Sequence, residues 1–173
     1  FTVDREMATA VQSFLDYVNA LPGDDYTEAR VYYERFVPGG FGTMDRAKAE
    51  YHTLRIIDYK YGEGVQVFAK ENSQLKFYAL GFMEEWGWLY DFRKIELHVA
   101  QPRLDHFDSW ETTPEAILEW AETVAKPAAA LALKPGAPFK AGAHCKFCKI
   151  KATCTTRAKF VFEMNLDELD DLD

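Results

Sequence analysis

The chain has 173 residues, 48% hydrophobic and 15% aromatic, with a formal net charge of −8. That is enough apolar content for one buried core with a small appendage, and it excludes global disorder. No apolar run reaches the roughly 18 residues of a membrane span and no signal peptide is visible, so a cytoplasmic location with no membrane partner is expected.

The charge is unevenly distributed. Glu163 to Asp173 carries six acids and no base; removing these leaves 22 acids against 20 bases. Lys134 to Lys159 holds Lys134, Lys140, Lys146, Lys149, Lys151, Arg157 and Lys159 and no acid. A local basic surface counts for more in nucleic-acid affinity than the total charge, although such a run also serves as a plain solvated face. The first residue is Phe rather than Met, so a preceding segment is expected.

In chain order, Met7, Val11, Phe14, Leu15 and Val18 recur at helical spacing and predict a helix over about residues 4–21, closed by Pro22-Gly23-Asp24-Asp25. Arg30 to Val37 is rich in β-formers and reads as a strand, followed by a Pro38-Gly39-Gly40 turn. Phe41 to Ala49 and Thr53 to Tyr61 read as two further strands, the second apolar enough to be central. Residues 71–88 predict a long helix with Leu75, Tyr78, Ala79, Phe82 and Trp86 on one side. Ile95–Ala100 and Asp108–Thr112 follow as strands. Thr113-Pro114-Glu115 opens a helix to about Leu133, with an adjustment expected at Pro127. The order αβββαββα predicts an α/β sheet domain over residues 1–134, a cysteine-containing basic segment over 135–162 and an acidic tail over 163–173.

The chemistry concentrates at Asp58-Tyr59-Lys60, at the end of the apolar strand. Alternation places Asp58 and Lys60 on one side of that strand. Asp45, in Gly42-Thr43-Met44-Asp45, falls on the neighbouring strand, and Glu34 on the strand before supplies a third acid. Carboxylates of this kind suit Mg²⁺ or Mn²⁺, with a backbone carbonyl such as that of Tyr59 completing the metal set. A lysine beside them orients water and offsets phosphate charge. Gln74 and Tyr78 lie four apart on one helical face, within reach of the same site. A lone Asp-x-Lys is more often a salt bridge at a strand end; the surrounding pattern is what favours chemistry here.

Together, Gly42-x-x-Asp45, Ile56-Ile57-Asp58-Tyr59-Lys60 and Gln74-x-x-x-Tyr78 resemble the PD-(D/E)xK nuclease superfamily. Within it the chain is similar to the RecB-like branch that includes the iron–sulfur CRISPR adaptation nucleases, and closest to an uncharacterised phage and prophage group. Val37 to Thr43, Asp58 to Gly62 and Gln101 to Asp105 add to the likeness, which covers about residues 5–160. It implies a restriction-endonuclease-like core, a central mixed sheet flanked by helices. The catalytic set would be Glu34, Asp45, Asp58, Lys60, Gln74 and Tyr78, with Glu34, Asp45, Asp58 and Tyr59 as metal ligands. The implied activity is a Mg²⁺- or Mn²⁺-dependent deoxyribonuclease, an exonuclease on DNA ends or single strands in phage DNA processing or recombination, working in the host cytoplasm beside phage recombination proteins. The alternative is a catalytically silent DNA-binding accessory protein of the same fold.

Cys145-x₂-Cys148-x₅-Cys154 is a cluster that suggests metal rather than disulfide. By the resemblance, the three would hold a [4Fe–4S] cluster with a fourth ligand not in this chain. Zinc with His144 and three free thiols are the competing readings. Of the other residues, His98 reads as a packed histidine, Arg103 and His106 as turn-stabilising, Trp86, Trp88 and Tyr90 as helix-end core, and Trp110 and Trp120 as core.

Overall fold

A computed structural model describes the backbone of residues 3–170 and the side chains of residues 3–164. Most of the acidic tail's side chains therefore lie outside the described residues. Phe1–Ala130 forms one compact unit and Leu131–Asp173 a second.

In the first unit, α1 (Arg5–Asn19) starts where Asp4 accepts a hydrogen bond from the Met7 amide, a side chain satisfying one of the orphan donors of the first turn. Three strands follow: β1 (Asp24–Tyr32), β2 (Phe41–Glu50) and β3 (Thr53–Tyr59). Helix α2 (Ser73–Trp86) begins at Asn72, whose side chain accepts from the amides of Gln74 and Leu75. The unit continues through β4 (Lys94–Gln101), β5 (His106–Thr112) and α3 (Pro114–Trp120) and ends within α4 (Lys126–Ala132).

The sheet order is β1-β2-β3-β4-β5, antiparallel except for the parallel β3–β4 pair. That pair needs a crossover, and α2 supplies it. This is the α/β arrangement of a restriction-endonuclease-like core, a mixed sheet flanked by helices. Leu54 to Asp58 is buried without interruption, as a strand covered on both faces requires. Ile56 packs with Leu75, Ala79 and Phe82 of α2, while Ile57 packs with Phe14 and Val18 of α1.

Three details depart from the sequence reading. The first strand is Asp24–Tyr32 rather than residues 30–37, because Tyr33 O accepts from the amides of Phe36 and Val37 and rolls the chain into a turn. Glu34 therefore stands exposed in that turn and not on a strand. Trp88 is 80% exposed rather than core, since a short 3-10 turn over Gly87–Leu89 carries it outward after α2 ends. Trp86 and Tyr90 do pack against the core.

Pro127 is accommodated without a break. Between α3 and α4, Ala121–Ala125 forms a π-turn in which the Lys126 amide donates to Ala121 O. The wider turn changes the i→i−4 ladder just where proline would otherwise collide with it.

In the second unit, Ala143–Phe147 forms a 3-10 turn and α5 spans Thr155–Asp170. Phe139, Lys140 and Ala141 line a cavity of about 470 Å³ with Thr156, Lys159, Phe160 and Glu163 of α5. Among the described residues no helix is long and apolar enough to cross a membrane.

Candidate active site

The site forms where β2 parts from β3. The β2–β3 ladder runs from Glu50↔Thr53 to Arg46↔Ile57, and the next step of that register would set Asp45 against Asp58, a pair the ladder does not form. The ladder stops there because the Tyr59 amide turns to the Asp45 side chain and donates to Oδ2 at 2.7 Å. On the far side, the Lys60 amide donates to Ala100 O at 2.8 Å, extending the β3–β4 pairing to the lysine.

Asp58, 3% exposed, is the centre of a small polar network. Lys60 Nζ lies 2.6 Å from its Oδ2. Gln74 Nε2 donates to Oδ1 at 3.1 Å, and Gln74 Oε1 accepts from Lys60 Nζ at 3.2 Å. Gln74 Nε2 also donates to the Tyr78 hydroxyl at 2.8 Å. The glutamine amide thus bridges the carboxylate, the ammonium and the phenol at once, which its paired donor and acceptor groups allow. Asn72, capping α2, fixes Gln74 in the first helical turn and so aims it at the end of β3.

Burial pushes the Asp58 carboxyl above the usual carboxylate range; the Lys60 hydrogen bond and charge pull it back, and the Asp45 charge raises it again. A desolvated carboxylate held between an opposite and a like charge is an arrangement that enzymes use to tune acids and bases.

The structure thus brings together Asp45, Asp58, Lys60, Gln74 and Tyr78. It does not bring in Glu34, whose turn is closed locally by the Tyr33 carbonyl. Another acid, absent from the sequence reading, comes closer. Glu28 falls opposite Asp45 in the β1–β2 register, between the pairs Thr27↔Arg46 and Ala29↔Met44. Pairing is interrupted there because Glu28 adopts a left-handed φ of 47°. Such a backbone costs a non-glycine residue on the order of 1–2 kcal/mol and is retained where the surroundings impose it. Glu28, Asp45, Arg46 and Tyr59 line a cleft of about 270 Å³ against Val11, Phe14 and Leu15 of α1. Nothing local in the sequence marks a left-handed glutamate within a strand; only the correct start of β1 would have paired it with Asp45.

Two residues named only within motifs have supporting roles that pattern reasoning does not show. A Cβ on Gly42 would come within 2.6 Å of the Tyr78 ring, so the glycine is what lets that ring lie against β2. Gln101, 1% exposed, ties down the segment after Lys60: its Oε1 accepts from the Val67 amide at 2.7 Å, and its Nε2 donates to the carbonyls of Gly62 and Val65. His106 holds Gln66 and Val67 O of the same segment, consistent with a structural role. Arg103 pairs with Glu6 and Glu63. His98 is buried, as expected, with Nδ1 2.7 Å from the Tyr17 hydroxyl.

The donors at the site are hard oxygens. Asp45 keeps Oδ1 when Oδ2 accepts from Tyr59, and Asp58 lies beside it, so the pair suits Mg²⁺ or Mn²⁺ with a backbone carbonyl, water and a phosphate oxygen. Among the described residues no three Asp, Glu, His or Cys side chains converge on one metal-sized position. In the second unit Cys145, Cys148 and Cys154 are half-buried free thiols, and His144 Nε2 lies 2.9 Å from Lys140 O.

A family model covers the whole chain, residues 1–173. The chain belongs to the DUF2800 family, described as proteins of unknown function. This DUF2800 chain is also similar to the crystal structure of SSO0001, at 19% identity and a TM-score of 0.43, over 86% of this chain. It spans 66% of that longer chain.

Proposed function

We propose that this DUF2800 chain is a PD-(D/E)xK-type, Mg²⁺- or Mn²⁺-dependent deoxyribonuclease that hydrolyses phosphodiesters at DNA ends or in single strands. The observation that carries the proposal is the Asp58–Lys60–Gln74 network, with Asp45 held to the adjoining Tyr59 amide where β2 and β3 part. Asp45 and Asp58, with the Tyr59 carbonyl, would hold the cation, and Glu28 lines the adjoining cleft. When bound, the cation supplies charge neutralisation on the phosphate and a more acidic water. Lys60 presents an ammonium to the same space, orienting water for in-line attack and offsetting charge on the phosphoryl oxygens. Water oxygen bonds to phosphorus as the bond to the leaving sugar oxygen breaks; the water gives up one proton to solvent and the leaving oxygen takes one from solvent. Gln74 keeps Lys60 and Asp58 in register, and Tyr78 steadies Gln74.

Cys145, Cys148 and Cys154 present thiol sulfur, the ligand type of iron–sulfur clusters. In the same proposal they contribute three of the four ligands of a [4Fe–4S] cluster, read out as iron and acid-labile sulfide in anaerobically purified protein. Equimolar zinc instead would overturn that assignment.

The deciding experiment for the nuclease is cleavage of end-labelled single- and double-stranded DNA with Mg²⁺ or Mn²⁺, beside Lys60→Ala. Metal-dependent products lost in the variant support the reading. DNA binding without products assigns the silent accessory role instead.

A further inference from the structure

β2 pairs with β3 only from Arg46 to Glu50, whereas it pairs with β1 from Phe41 to Ala49. Residues 28–32 and 41–45 therefore form a two-stranded ribbon running past the end of β3, starting at the candidate site. One face of this ribbon is covered by α2: Val31 and Met44 are buried in the core, and the backbone of Gly81 lies against the Val31 side chain. Alternation sends Arg30, Tyr32, Phe41 and Thr43 to the opposite face, and there Phe41 is 52% and Tyr32 45% exposed.

These exposed groups are organised. The Arg30 guanidinium carbon lies 4.0 Å from the Phe41 ring centroid and 5.5 Å from that of Tyr32. The two rings lie 6.5 Å apart, because Tyr32↔Phe41 is the last pair of the ladder. Arg30 has no carboxylate partner among the described ion pairs, so its charge is available. Phe41, Thr43 and Asp45 share one parity on β2. At roughly 3.3 Å per residue this places the rings about 13 Å from Asp45, the span of a few nucleotides.

We infer that Tyr32, Arg30 and Phe41 form a stacking platform for single-stranded nucleic acid leading to the Asp45–Asp58 site. This inference rests on the proposed phosphodiesterase reading. Exposed aromatic faces and an arginine plane bind unpaired bases through stacking that tolerates any sequence, and the arginine charge adds a phosphate contact. A duplex keeps its bases stacked on one another and offers no free face to these rings, so the platform selects single strands and frayed ends.

The test is fluorescence anisotropy of labelled dT₂₀, rU₂₀ and a blunt duplex with the full chain in EDTA, where cleavage cannot occur. Tyr32→Ala and Phe41→Ala are each expected to weaken single-strand binding on the order of tenfold. Arg30→Gln is expected to lower the slope of log affinity against log salt by about 0.7. Thermal melting shows the variants folded. The dT₂₀ and rU₂₀ arms identify which strand is preferred. Equal affinity in parent and ring variants overturns the platform, as does a parent that binds no single strand. A parent that dimerises through this ribbon, with dimers lost in the ring variants and DNA binding unchanged, also overturns it. Lys60-dependent cleavage, assayed separately, would stand in each of these cases, so the failure of the platform is distinct from the failure of the nuclease reading.

Discussion

Gly42 lies beneath the ring of Tyr78, so close that a single added methyl would meet the ring carbon Cε1 at 2.6 Å. This contact joins two motifs that are 36 residues apart in the chain: the glycine three residues before Asp45 and the tyrosine four after Gln74. Gly42→Ala is expected to destabilise the fold by about 1–3 kcal/mol through overpacking. It should also reduce cleavage on the order of ten- to a hundredfold by displacing Tyr78 and, through it, Gln74. Adding Tyr78→Ala should recover stability but not activity, because the clash disappears while the support for Gln74 stays lost. Chemical denaturation and cleavage rates on the three variants check both parts.

Asp58 is retained at a cost to stability. Its folded-state carboxyl lies above the ordinary 3.8 because of burial, so the folded chain holds that proton more tightly than the unfolded one. The associated stability is present below the ordinary value and is lost as pH rises through the folded value. Asp58→Asn is expected to raise the melting temperature at neutral pH while abolishing cleavage, with the gain shrinking as pH falls. Melting curves across acid to neutral pH test this; a variant less stable than the parent at pH 7 would contradict it.

His98 gives the opposite sign. Burial holds its imidazole below the ordinary 6.5, so stability present above that value is lost as pH falls through the folded one. Among the described residues His98 Nε2 is buried with no hydrogen-bond partner, Glu96 Oε2 standing 3.6 Å away, which leaves the Tyr17 hydroxyl as the ring's hydrogen-bonding neighbour. Tyr17→Phe is expected to cost about 1–3 kcal/mol at neutral pH, since it strands a buried ring nitrogen. Cleavage should be unaffected in the surviving folded fraction.

Lys76 is 3% exposed, paired with Glu71, and its ammonium lies 4.9 Å from the Trp120 ring centroid and 5.4 Å from that of Trp110. Lys76→Met keeps the volume and removes the buried charge, and is expected to be neutral or stabilising. Glu71→Gln leaves the ammonium buried without its counter-ion and should cost about 1–3 kcal/mol, less than a fully buried pair because Glu71 faces solvent. Urea midpoints for the two variants should therefore move in different directions, or only that of Glu71→Gln should move.

The residue pattern alone set the element order and the central strand, since Leu54, Ile56 and Ile57 in one short segment have few other places to go. It also determined that Asp58, Lys60, Gln74 and Tyr78 could meet, because strand alternation and a four-residue helical step are local geometry. Strand register and packing set which other acid stands near them. Glu34 was lost to a turn closed by the Tyr33 carbonyl, and Glu28 gained by the β1–β2 register. Register depends on where a strand begins, and β1 begins at Asp24-Asp25, residues that local propensity assigns to a turn. Gly42 and Gln101 stood within motifs, but their roles were hidden, because what each does depends on a partner more than 30 residues away that packing alone brings into contact.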